Sequence, residues 1–319
     1  MIVPAACRVL VVNENPEGPP ARSLAASLCA RGAAVETAPL SAIEFDTASA
    51  SGLVIPGFGE ALPDAVLVRS ISAGSFEAVT RRLGVLHALG GLGVPVWNPA
   101  AAIERCVDKS TTSFVLDRAG VPTPPTFAVE GLAAAQAIAE RELRRARLVL
   151  KPLFGAQGRG IVMIDAVSAL PPEEEVGGVY YLQHYVPRPG PPFRDFRVFV
   201  CAGKVVAMMS RRGDAWITNV SQGGVPEPVE GAEQALLEQL AVAAAKAVGA
   251  RFAGVDLVRA ENGAVFVLEV NSMPAWSGLQ TVSETNIADA IAAGLLAFLA
   301  KRDGAGAART PRLAVPAGS

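Results

Sequence analysis

The stretch FAGVDLVRAENGAVFVLEVNSMP, residues 252–274, contains the pattern that decides the fold and the site. Two runs rich in Val, Leu and Phe flank Asn262-Gly263, and an Asn-Gly pair between apolar runs is the strongest short-range signal for a β-hairpin. If these two residues form the centre of a type I′ turn, Asp256 falls directly opposite Glu269. Opposed residues of an antiparallel pair share one face of the sheet, with Cβ atoms roughly 4.5–5.5 Å apart.

The two opposed carboxylates predict a cation site on this face. Asn271 lies on the same face, about 7 Å further along the strand, and the residue opposite it is Gly254, which has no side chain to obstruct it. Two carboxylates this close repel each other unless one is protonated or a cation lies between them. A set of oxygen ligands suits Mg²⁺ or Mn²⁺ and not zinc. A solvated hairpin face is the alternative, but the apolar runs favour the metal site.

The composition indicates a folded globular chain with two or three domains. Of its 319 residues, 51% are hydrophobic, and 28 basic against 30 acidic side chains give a net charge of −2. This balance predicts no nucleic-acid or membrane partner. The four cysteines are scattered without a CxxC pair, which argues against disulfides and zinc fingers and favours a reducing cytoplasm. With only two histidines, a zinc site or a Ser-His-Asp triad is a poor hypothesis.

The order of strands and helices predicts an α/β fold of three units and a tail. Residues 1–99 alternate strands with helices, which is typical of a parallel sheet covered on both faces. Residues 100–186 predict a helical stretch, in which Asp108 or Ser110 caps a second helix, and then a small α+β unit. Residues 187–302 contain two predicted hairpins and two amphipathic helices. Residues 303–319 have the composition of a disordered tail.

A glycine-rich loop between two predicted strands, KPLFGAQGRGIVMI from Lys151, is a second candidate site element. Glycines let backbone N–H groups approach an anion closely. The loop is not a Walker A motif, because its lysine precedes the glycines and no GK[ST] follows. The strand–loop–strand context also excludes a dinucleotide fingerprint. A plain surface hairpin and a flap over phosphates remain, and Lys151 at the base of the loop favours the flap.

Several other charged residues carry no assignment when each is taken alone. Lys109 in VDKSTT is most simply an exposed helix residue. Asp195 and Arg197 share one face of a predicted strand, where a surface ion pair is the simplest interpretation. The next strand and the loop after it supply three more polar candidates, which are Arg211, Arg212 and Asn219.

Taken in order, these segments resemble the ATP-grasp ligases, and most of all their RimK-type branch of amino-acid ligases. The resemblance covers about residues 66–300 and is most specific in GVDLV…LEVN. It implies an ATP-grasp fold with a Rossmann-like N-terminal domain, a small α+β central lid and an α+β C-terminal domain. ATP would lie between the last two domains, with Mg²⁺ or Mn²⁺ as the metal. This division agrees with the three units predicted above.

The resemblance implies a role for each matched position. The residues implied in nucleotide binding are the lysine pair Lys109 and Lys151, the flap residues Gly155, Gln157, Gly158 and Gly160, the adenine-reading hinge Gln183, His184, Tyr185 and Val186, and Asp195 near the ribose. The implied metal ligands are Asp256, Glu269 and Asn271, the same three that the hairpin selects. The residues implied in catalysis beside the reacting phosphate are Arg197, Arg211 and Asn219.

The resemblance further implies a ligase that forms an amide through an acyl phosphate. The pattern VRS…GS…NP…DK looks closest to ligases that add L-glutamate to an acidic cofactor of the tetrahydromethanopterin type. A methanofuran-type cofactor, a protein tail and an acidic carrier protein stay open as acceptors. Arg69, at the end of an N-terminal strand where α/β sheets bind ligands, and Arg212 are predicted to bind the acceptor. Family members often form dimers or tetramers, and this chain is expected to do so by analogy.

Three departures from the family pattern bear on the substrates. His184 replaces a hinge glutamate, Ile217 replaces a frequent arginine, and Gln222 replaces a frequent basic residue. They predict an altered substrate and not an inactive enzyme, since both lysines and the metal set are retained. Two other function classes are the alternatives. One is a non-catalytic ATP-binding regulator of the same fold, and the other is an NAD-linked oxidoreductase, which the lack of GxGxxG after CRVLVVN disfavours.

Overall fold

The computed structural model describes residues 7–155, 158–231 and 233–306, with side chains described as far as Arg302. The predicted flap residue Gln157 and the predicted tail from residue 307 onward lie outside this part. The last described helix continues to Gly306, four residues past the predicted end of the C-terminal unit at residue 302. A search of the described helices finds none that combines the length and the apolar character needed to cross a membrane.

The N-terminal unit is a parallel sheet between helices. Its elements are β1 (Arg8–Val12), α1 (Pro19–Cys29), β2 (Ala34–Ala38), β3 (Glu44–Phe45), β4 (Leu53–Val54), β5 (Ala65–Val68), α2 (Phe76–Gly91) and β6 (Val96–Trp97). Four strands form the sheet in the order β2-β1-β5-β6. Val9 and Val11 of β1 pack in one core with α1, whereas Leu10 and Val12 pack in another with α2. A strand buried on both faces is apolar throughout, and the predicted Rossmann-like unit is confirmed.

The middle segment begins with two helices and continues as a small antiparallel sheet. Its elements are α3 (Ala100–Val107), α4 (Lys109–Arg118), β7 (Thr126–Glu130), α5 (Leu132–Glu142), β8 (Leu148–Lys151), β9 (Val162–Ile164) and β10 (Val179–His184). The sheet, in the order β7-β10-β8-β9, encloses a core with α5. Asp108 caps α4 by accepting from the backbone N–H groups of Ser110 and Thr111. Leu116 of α4 lies in the core of the C-terminal unit, so packing crosses the predicted boundary between residues 186 and 187.

The C-terminal unit is a five-stranded antiparallel sheet that carries the candidate site on part of one face. Its elements are β11 (Phe193–Cys201), β12 (Lys204–Gly213), β13 (Val225–Pro228), α6 (Glu233–Val248), β14 (Phe252–Arg259), β15 (Val265–Asn271), α7 (Ser277–Gln280) and α8 (Ile287–Gly306). The strand order is β13-β12-β11-β14-β15. Helix α6 covers one face. On the other face α8 covers the end with Phe199 and Cys201, which leaves the end with Asp195 and Arg197 for the site.

The β14–β15 hairpin pairs Asp256 with Glu269 and Gly254 with Asn271, as predicted. The predicted two-residue turn is wrong, however. Ala260 N–H donates to Ala264 O at 2.8 Å, and only Gly263 of the turn has a positive φ, 86°. The turn therefore has three residues, which shifts the register near it by one residue. Between the pairs Leu257–Val267 and Asp256–Glu269, the residue Leu268 has no opposite partner in β14. This extra residue restores the predicted register at the acidic pair.

Asn98 joins the N-terminal unit to the start of β14. Its side chain is fully buried, and Nδ2 donates to Phe252 O at 2.8 Å and to Ser272 O at 2.6 Å. Oδ1 accepts from Phe252 N–H at 3.1 Å and from Arg251 N–H at 2.5 Å. One buried amide thus satisfies backbone groups at the beginning of β14 and just after β15, the two strands that carry the acidic pair.

Replacement of Asn98 by alanine is expected to destabilise the whole chain. It removes four hydrogen bonds and leaves buried backbone groups unpaired, which costs roughly 1–3 kcal/mol for each such group. We expect Asn98→Ala to lower the thermal unfolding midpoint by about 5 °C or more, measured by calorimetry. The control His87→Ala removes an exposed side-chain hydrogen bond with Glu104 and is expected to change the midpoint little. Equal midpoints for the two variants would contradict this role of Asn98.

Candidate active site

A row of charged residues crosses four strands of the C-terminal sheet. Arg211 of β12 lies opposite Asp195 of β11, and Arg197 of β11 lies opposite Asp256 of β14. Asp256 in turn lies opposite Glu269 of β15. Alternate residues of a strand share a face, so the two β11 residues stand side by side. The sheet register therefore brings together residues that are as much as 74 positions apart in sequence.

The arginines and aspartates of this row form bidentate ion pairs. Arg211 donates from Nε and Nη2 to the two carboxylate oxygens of Asp195, at 2.7 Å each. Arg197 donates from Nη2 to Asp256 Oδ2 at 2.6 Å, and from Nε to Oδ1 at a still shorter distance. Arg211 Nη2 also lies 3.3 Å from Asp256 Oδ1. These side chains are almost fully buried, with exposed fractions of 4–11%.

Asp256 is ionised in this surrounding. Burial alone would raise the pKa of its carboxyl group, because a charge is poorly solvated in the interior. The guanidinium groups of Arg197 and Arg211 outweigh burial and hold the pKa below its usual range. Burial would lower the pKa of Arg211, but the carboxylates of Asp256 and Asp195 outweigh it and raise this pKa. Asp256 is therefore present in the row as a carboxylate that pairs with arginine groups.

The charged row lines a cavity of about 560 Å³. Asp195, Arg197, Arg211, Asp256, Glu269 and Asn271 contribute the sheet side. Lys109, Lys151 and described residues of the flap also line it, and so do Arg69 and the segment after β15, with Met273, Pro274, Ala275, Ser277 and Gly278. The cavity thus lies between the lid and the C-terminal sheet and reaches the N-terminal unit. The structure brings the predicted lysines, metal ligands and arginines to one place.

Lys151, at the end of β8, is 8% exposed and donates from Nζ to Gln183 Oε1 at 2.7 Å. Burial lowers its pKa to about 8, because the interior disfavours the charged form. Lys109, the first residue of α4, donates to Gly155 O in the flap at 2.9 Å, and burial lowers its pKa as well. Lys109 is therefore not the exposed helix residue that its local sequence suggests. Within the part of the chain that the structure describes, neither amine forms a salt bridge, so both are available to an anion.

The glycine loop connects the antiparallel strands β8 and β9, so the strand–loop–strand prediction is confirmed. Gly158 and Gly160 have φ values of 71° and 69°, a region that L-residues rarely adopt. A Cβ atom at Gly158 would lie 2.7 Å from Asn219 Oδ1 and 2.9 Å from Ile217 Cγ2. The described part of the flap therefore lies directly against the loop that contains two of the departures from the family pattern.

A narrow pocket adjoins the main cavity and is lined by the predicted hinge, Gln183, His184, Tyr185 and Val186. Its apolar walls are Val149, Ile161, Ile217, Val258 and Leu268, and it shares Lys151 and Asp195 with the cavity. The backbone N–H of His184 donates to Pro125 O, and that of Tyr185 donates to Arg147 O. A small pocket with these apolar walls, beside a cavity lined by two lysines, suits a base whose phosphates reach the lysines.

The His184 side chain accounts for one departure from the family pattern. Its Nε2 atom lies 3.0 Å from Glu142 Oε2. Glu142, at the end of α5, is 2% exposed and also accepts from Arg141 Nε at 2.7 Å. The histidine is thus held inside the lid by a buried carboxylate, and it fixes the hinge to α5.

The predicted metal ligands supply oxygen donor atoms of the kind that a hard divalent ion prefers. Asp256, Glu269 and Asn271 line one cavity and supply two carboxylates and an amide. The Nδ2 atom of Asn271 is buried and has no hydrogen-bond partner among the described residues. Buried polar atoms are nearly always paired, and a half-turn of the amide would present its oxygen instead. Within the described chain no group of three or more His, Cys, Asp or Glu could hold a metal, as expected for a set with only two carboxylates.

The two residues predicted to bind the acceptor differ in their placement. Arg69 lines the cavity, with its guanidinium 4.5 Å from the centre of the Trp276 ring and Nη1 donating to Met273 O at 3.4 Å. Burial lowers its pKa to about 10. Arg212 is not among the described residues that line the cavity. It follows Arg211 in β12, so it points to the opposite face, where Nε donates to Glu227 at 2.7 Å.

Three further residues of the site were not singled out from sequence. Arg159 of the flap lines the cavity, and Trp276 supports Arg69. Arg188 lines the hinge pocket, is 9% exposed and packs over the Phe193 ring. Arg159 lies inside the quoted FGAQGRG segment, so the glycine pattern was a signal for it. Trp276 and Arg188 are brought to the site by tertiary packing that local sequence does not encode.

Comparison with known proteins identifies the family. A family model described as the RimK-like ATP-grasp domain matches residues 106–295. The tetrahydromethanopterin:α-L-glutamate ligase of Methanococcus maripaludis is 40% identical over 201 residues, which cover 61% of this chain and 67% of that protein. The protein of the same name from Methanocaldococcus jannaschii is 36% identical over 244 residues, which cover 74% and 80%.

A solved structure supports the fold independently of close sequence similarity. The ATP-grasp ligase PsnB, in complex with a phosphomimetic variant of its minimal precursor, Mg and ADP, matches with a TM-score of 0.67 at 20% identity. The match covers 92% of this chain and 98% of that one. At this identity the likeness to PsnB concerns the fold alone. The family model and the two relatives show similarity in sequence as well. The chain therefore belongs to the RimK-like ATP-grasp family.

Proposed function

We propose that this protein is an ATP-dependent acid–amino-acid ligase that adds L-glutamate to an acidic cofactor of the tetrahydromethanopterin type. The observation that carries the proposal is the cavity in which two buried lysines face Asp256, Glu269 and Asn271. Membership of a ligase family and two relatives named tetrahydromethanopterin:α-L-glutamate ligase support the reaction and the acceptor.

The residues around the cavity divide ATP binding among them. The hinge pocket binds the adenine. Lys109 and Lys151, which lie beside the flap, neutralise the phosphates. Since the N–H groups of His184 and Tyr185 are already bonded, we assign the adenine contacts to the other hinge groups. Asp256, Glu269 and Asn271 would hold Mg²⁺ or Mn²⁺, which would supply positive charge to the terminal phosphates.

Amide formation requires activation of a carboxylate, which is a poor electrophile. Transfer of the γ-phosphoryl group from ATP to the acceptor carboxylate gives an acyl phosphate. The amine of glutamate then attacks the acyl carbon, the C–N bond forms, and phosphate leaves with the electron pair of the C–O bond. Arg197 and Arg211 line the cavity where the negative charge develops. The flap, packed on Asn219, excludes water that would hydrolyse the intermediate.

The charge of the cavity favours acidic substrates. Among the described lining residues, six basic side chains face three acidic ones, an excess of three positive charges. The basic ones are Arg69, Lys109, Lys151, Arg159, Arg197 and Arg211, and the acidic ones are Asp195, Asp256 and Glu269. ATP with one divalent ion neutralises only part of this excess. The remainder suits a carboxylate acceptor and glutamate, and Arg69 is the lining arginine that the N-terminal unit supplies.

The direct test is release of ADP from Mg-ATP in the presence of L-glutamate and a panel of acidic acceptors, with the product identified by mass spectrometry. We expect ADP release that needs both glutamate and a tetrahydropterin acceptor, and a product heavier by one glutamyl residue. Glu269→Gln is expected to abolish turnover and to leave the unfolding midpoint close to that of the wild type. If only a protein tail supports turnover, the acceptor is a protein and not a pterin cofactor. ATP binding without turnover would indicate a non-catalytic regulator. Normal activity of Glu269→Gln would contradict the assigned site.

Arg69 and Arg212 form a matched pair that separates a cavity arginine from a surface one. We expect Arg69→Met to raise KM for the acceptor roughly tenfold or more, because a charge-assisted contact to a carboxylate is lost, with little change in KM for ATP. Arg212→Met is expected to leave both constants near the wild-type values, since its partner is Glu227. Steady-state kinetics of the two variants decides the matter. An acceptor KM that responds to Arg212 and not to Arg69 would reverse the assignment.

The lowered pKa of Lys151 predicts that nucleotide binding depends on pH. Because this pKa is about 8 in the free protein, the lysine loses its charge as the pH rises through 8. Phosphates stabilise the charged form, so binding above pH 8 takes up a proton and the affinity falls. Between pH 7.5 and 9 we expect the dissociation constant of a magnesium complex of a non-hydrolysable ATP analogue to rise roughly eightfold.

Titration calorimetry in two buffers of different ionisation enthalpy measures this proton uptake. Lys151→Met is the control, and it is expected to bind the nucleotide more weakly and without this pH dependence. The assignment fails if Lys151→Met keeps the same proton uptake as the wild type.

A further inference from the structure

The carboxylate of Asp256 is already occupied by arginine groups in the structure. It accepts from Arg197 Nε and Nη2, and Arg211 Nη2 lies 3.3 Å from its Oδ1 atom. A carboxylate offers about four lone-pair positions. Three N–H groups therefore take most of the positions that a divalent ion at Asp256 would use. A metal ion at Asp256 would therefore compete with these N–H groups for the carboxylate oxygens.

A divalent ion and a guanidinium group on the same carboxylate also repel each other. The ion pair is almost fully buried, with exposed fractions of 11% for the Arg197 side chain and 10% for that of Asp256. Screening by water is weak in such a place, so the repulsion is larger than at the surface. Metal binding therefore requires that one of the arginines move away or that negative charge arrive with the metal.

The two arginines are not equally free to leave. Arg211 keeps two bonds of 2.7 Å to Asp195 if it loses Asp256. The hydrogen bonds described for Arg197 both go to Asp256. Arg197 is therefore the arginine that a competing cation would release.

The lack of a side chain at Gly254 leaves room for the aliphatic part of Arg197 to lie over the sheet. A Cβ atom at Gly254 would lie 3.2 Å from Arg197 Cδ and 2.8 Å from Pro274 Cβ. Because Gly254 lies opposite Phe199 and next but one to Asp256 in β14, the arginine stem lies over the strand that carries its partner. Arg197 thus has a defined position beside the metal ligand, from which its head can turn towards the cavity that it lines.

We propose that Arg197 occupies the metal position at Asp256 in the nucleotide-free protein and exchanges it for the divalent ion when the metal–nucleotide complex binds. The released guanidinium then pairs with a phosphate of the nucleotide. This inference rests on the proposed function, because it takes Asp256 as a metal ligand and ATP as the substrate.

The exchange makes metal binding depend on the nucleotide. Without phosphates, a metal ion would displace Arg197 into a cavity that already has an excess of positive lining groups. With phosphates present, the released arginine gains a new anionic partner. Metal and nucleotide must then strengthen each other's binding by the same factor. Removal of the Arg197 charge should free the carboxylate and abolish much of this coupling.

Binding of Mn²⁺ tests the exchange without any need for turnover. Electron paramagnetic resonance measures free Mn²⁺ with wild-type protein and with Arg197→Met, each with and without a non-hydrolysable ATP analogue. We expect Arg197→Met to bind Mn²⁺ roughly tenfold or more tightly than the wild type in the absence of nucleotide, and to gain less from the nucleotide. Arg259→Met is the matched control. Arg259 lies in the same strand as Asp256 and pairs with the carboxylate of Glu233. The substitution breaks this pair and is expected to leave Mn²⁺ binding unchanged.

The outcomes separate this inference from the proposed function. If the wild type binds no Mn²⁺ even with the nucleotide, the metal site itself is misplaced. If the wild type binds Mn²⁺ with the nucleotide but Arg197→Met gains no affinity without it, only the exchange is overturned. Equal gains for Arg197→Met and Arg259→Met would overturn it as well.

A second measurement on the wild type covers the case in which Arg197→Met does not fold. The Nε–H signal of Arg197 in a ¹H–¹⁵N spectrum can be assigned as the arginine signal that Arg197→Lys lacks. We expect this signal to shift when Mg²⁺ and the nucleotide analogue are added together, and to stay in place with Mg²⁺ alone. A signal that is unchanged by the complete complex would show that Arg197 stays on Asp256 and would overturn the exchange.

Discussion

The opposition of Asp256 and Glu269 across neighbouring strands is the constraint on which the rest of the site depends. Two carboxylates at this distance on a buried face need positive charge. In the structure that charge comes from Arg197 and Arg211, which the sheet register places beside Asp256. The carboxylates, the arginines and the nearby lysines therefore belong to one electrostatic unit. The packing of the three domains determines which of these charges face the same cavity.

The fold holds that unit in place from several directions. Helix α6 supports one face of the C-terminal sheet, and α8 covers the apolar end of the other face. Asn98 ties the N-terminal unit to the backbone near both acidic strands. The lid contributes the lysine on β8, the glycine flap and the hinge, so its position decides whether the phosphate-binding groups meet the metal ligands. A ligase that protects an acyl phosphate from water needs this arrangement of a rigid floor and a covering lid.

Much of this arrangement was predictable from sequence, although not always for the right reason. The Asn-Gly signal predicted the hairpin and the acidic pair, but the turn has three residues and the skip at Leu268 compensates for the difference. Local sequence gives no indication of such a compensation. Lys109 was assigned by resemblance alone, since its burial comes from contact with the flap 46 residues away.

The limits of prediction follow from tertiary contacts. Arg212 was expected near the acceptor, but strand alternation turns it to the face opposite Arg211, where Glu227 binds it. The pairing of His184 with Glu142 joins a strand to a helix of the lid, and Trp276 reaches Arg69 from the other end of the chain. Each of these contacts depends on how whole elements pack, which periodicity and motifs do not specify.

The most direct measurement is the anomalous diffraction of Mn²⁺ in crystals of the protein with a non-hydrolysable ATP analogue. The account predicts an anomalous peak within about 2.0–2.4 Å of oxygen atoms from Asp256, Glu269 and Asn271, with the nucleotide phosphates completing the coordination between them and the two lysines. A peak bound to other side chains, or a nucleotide whose phosphates lie away from Lys109 and Lys151, would contradict it.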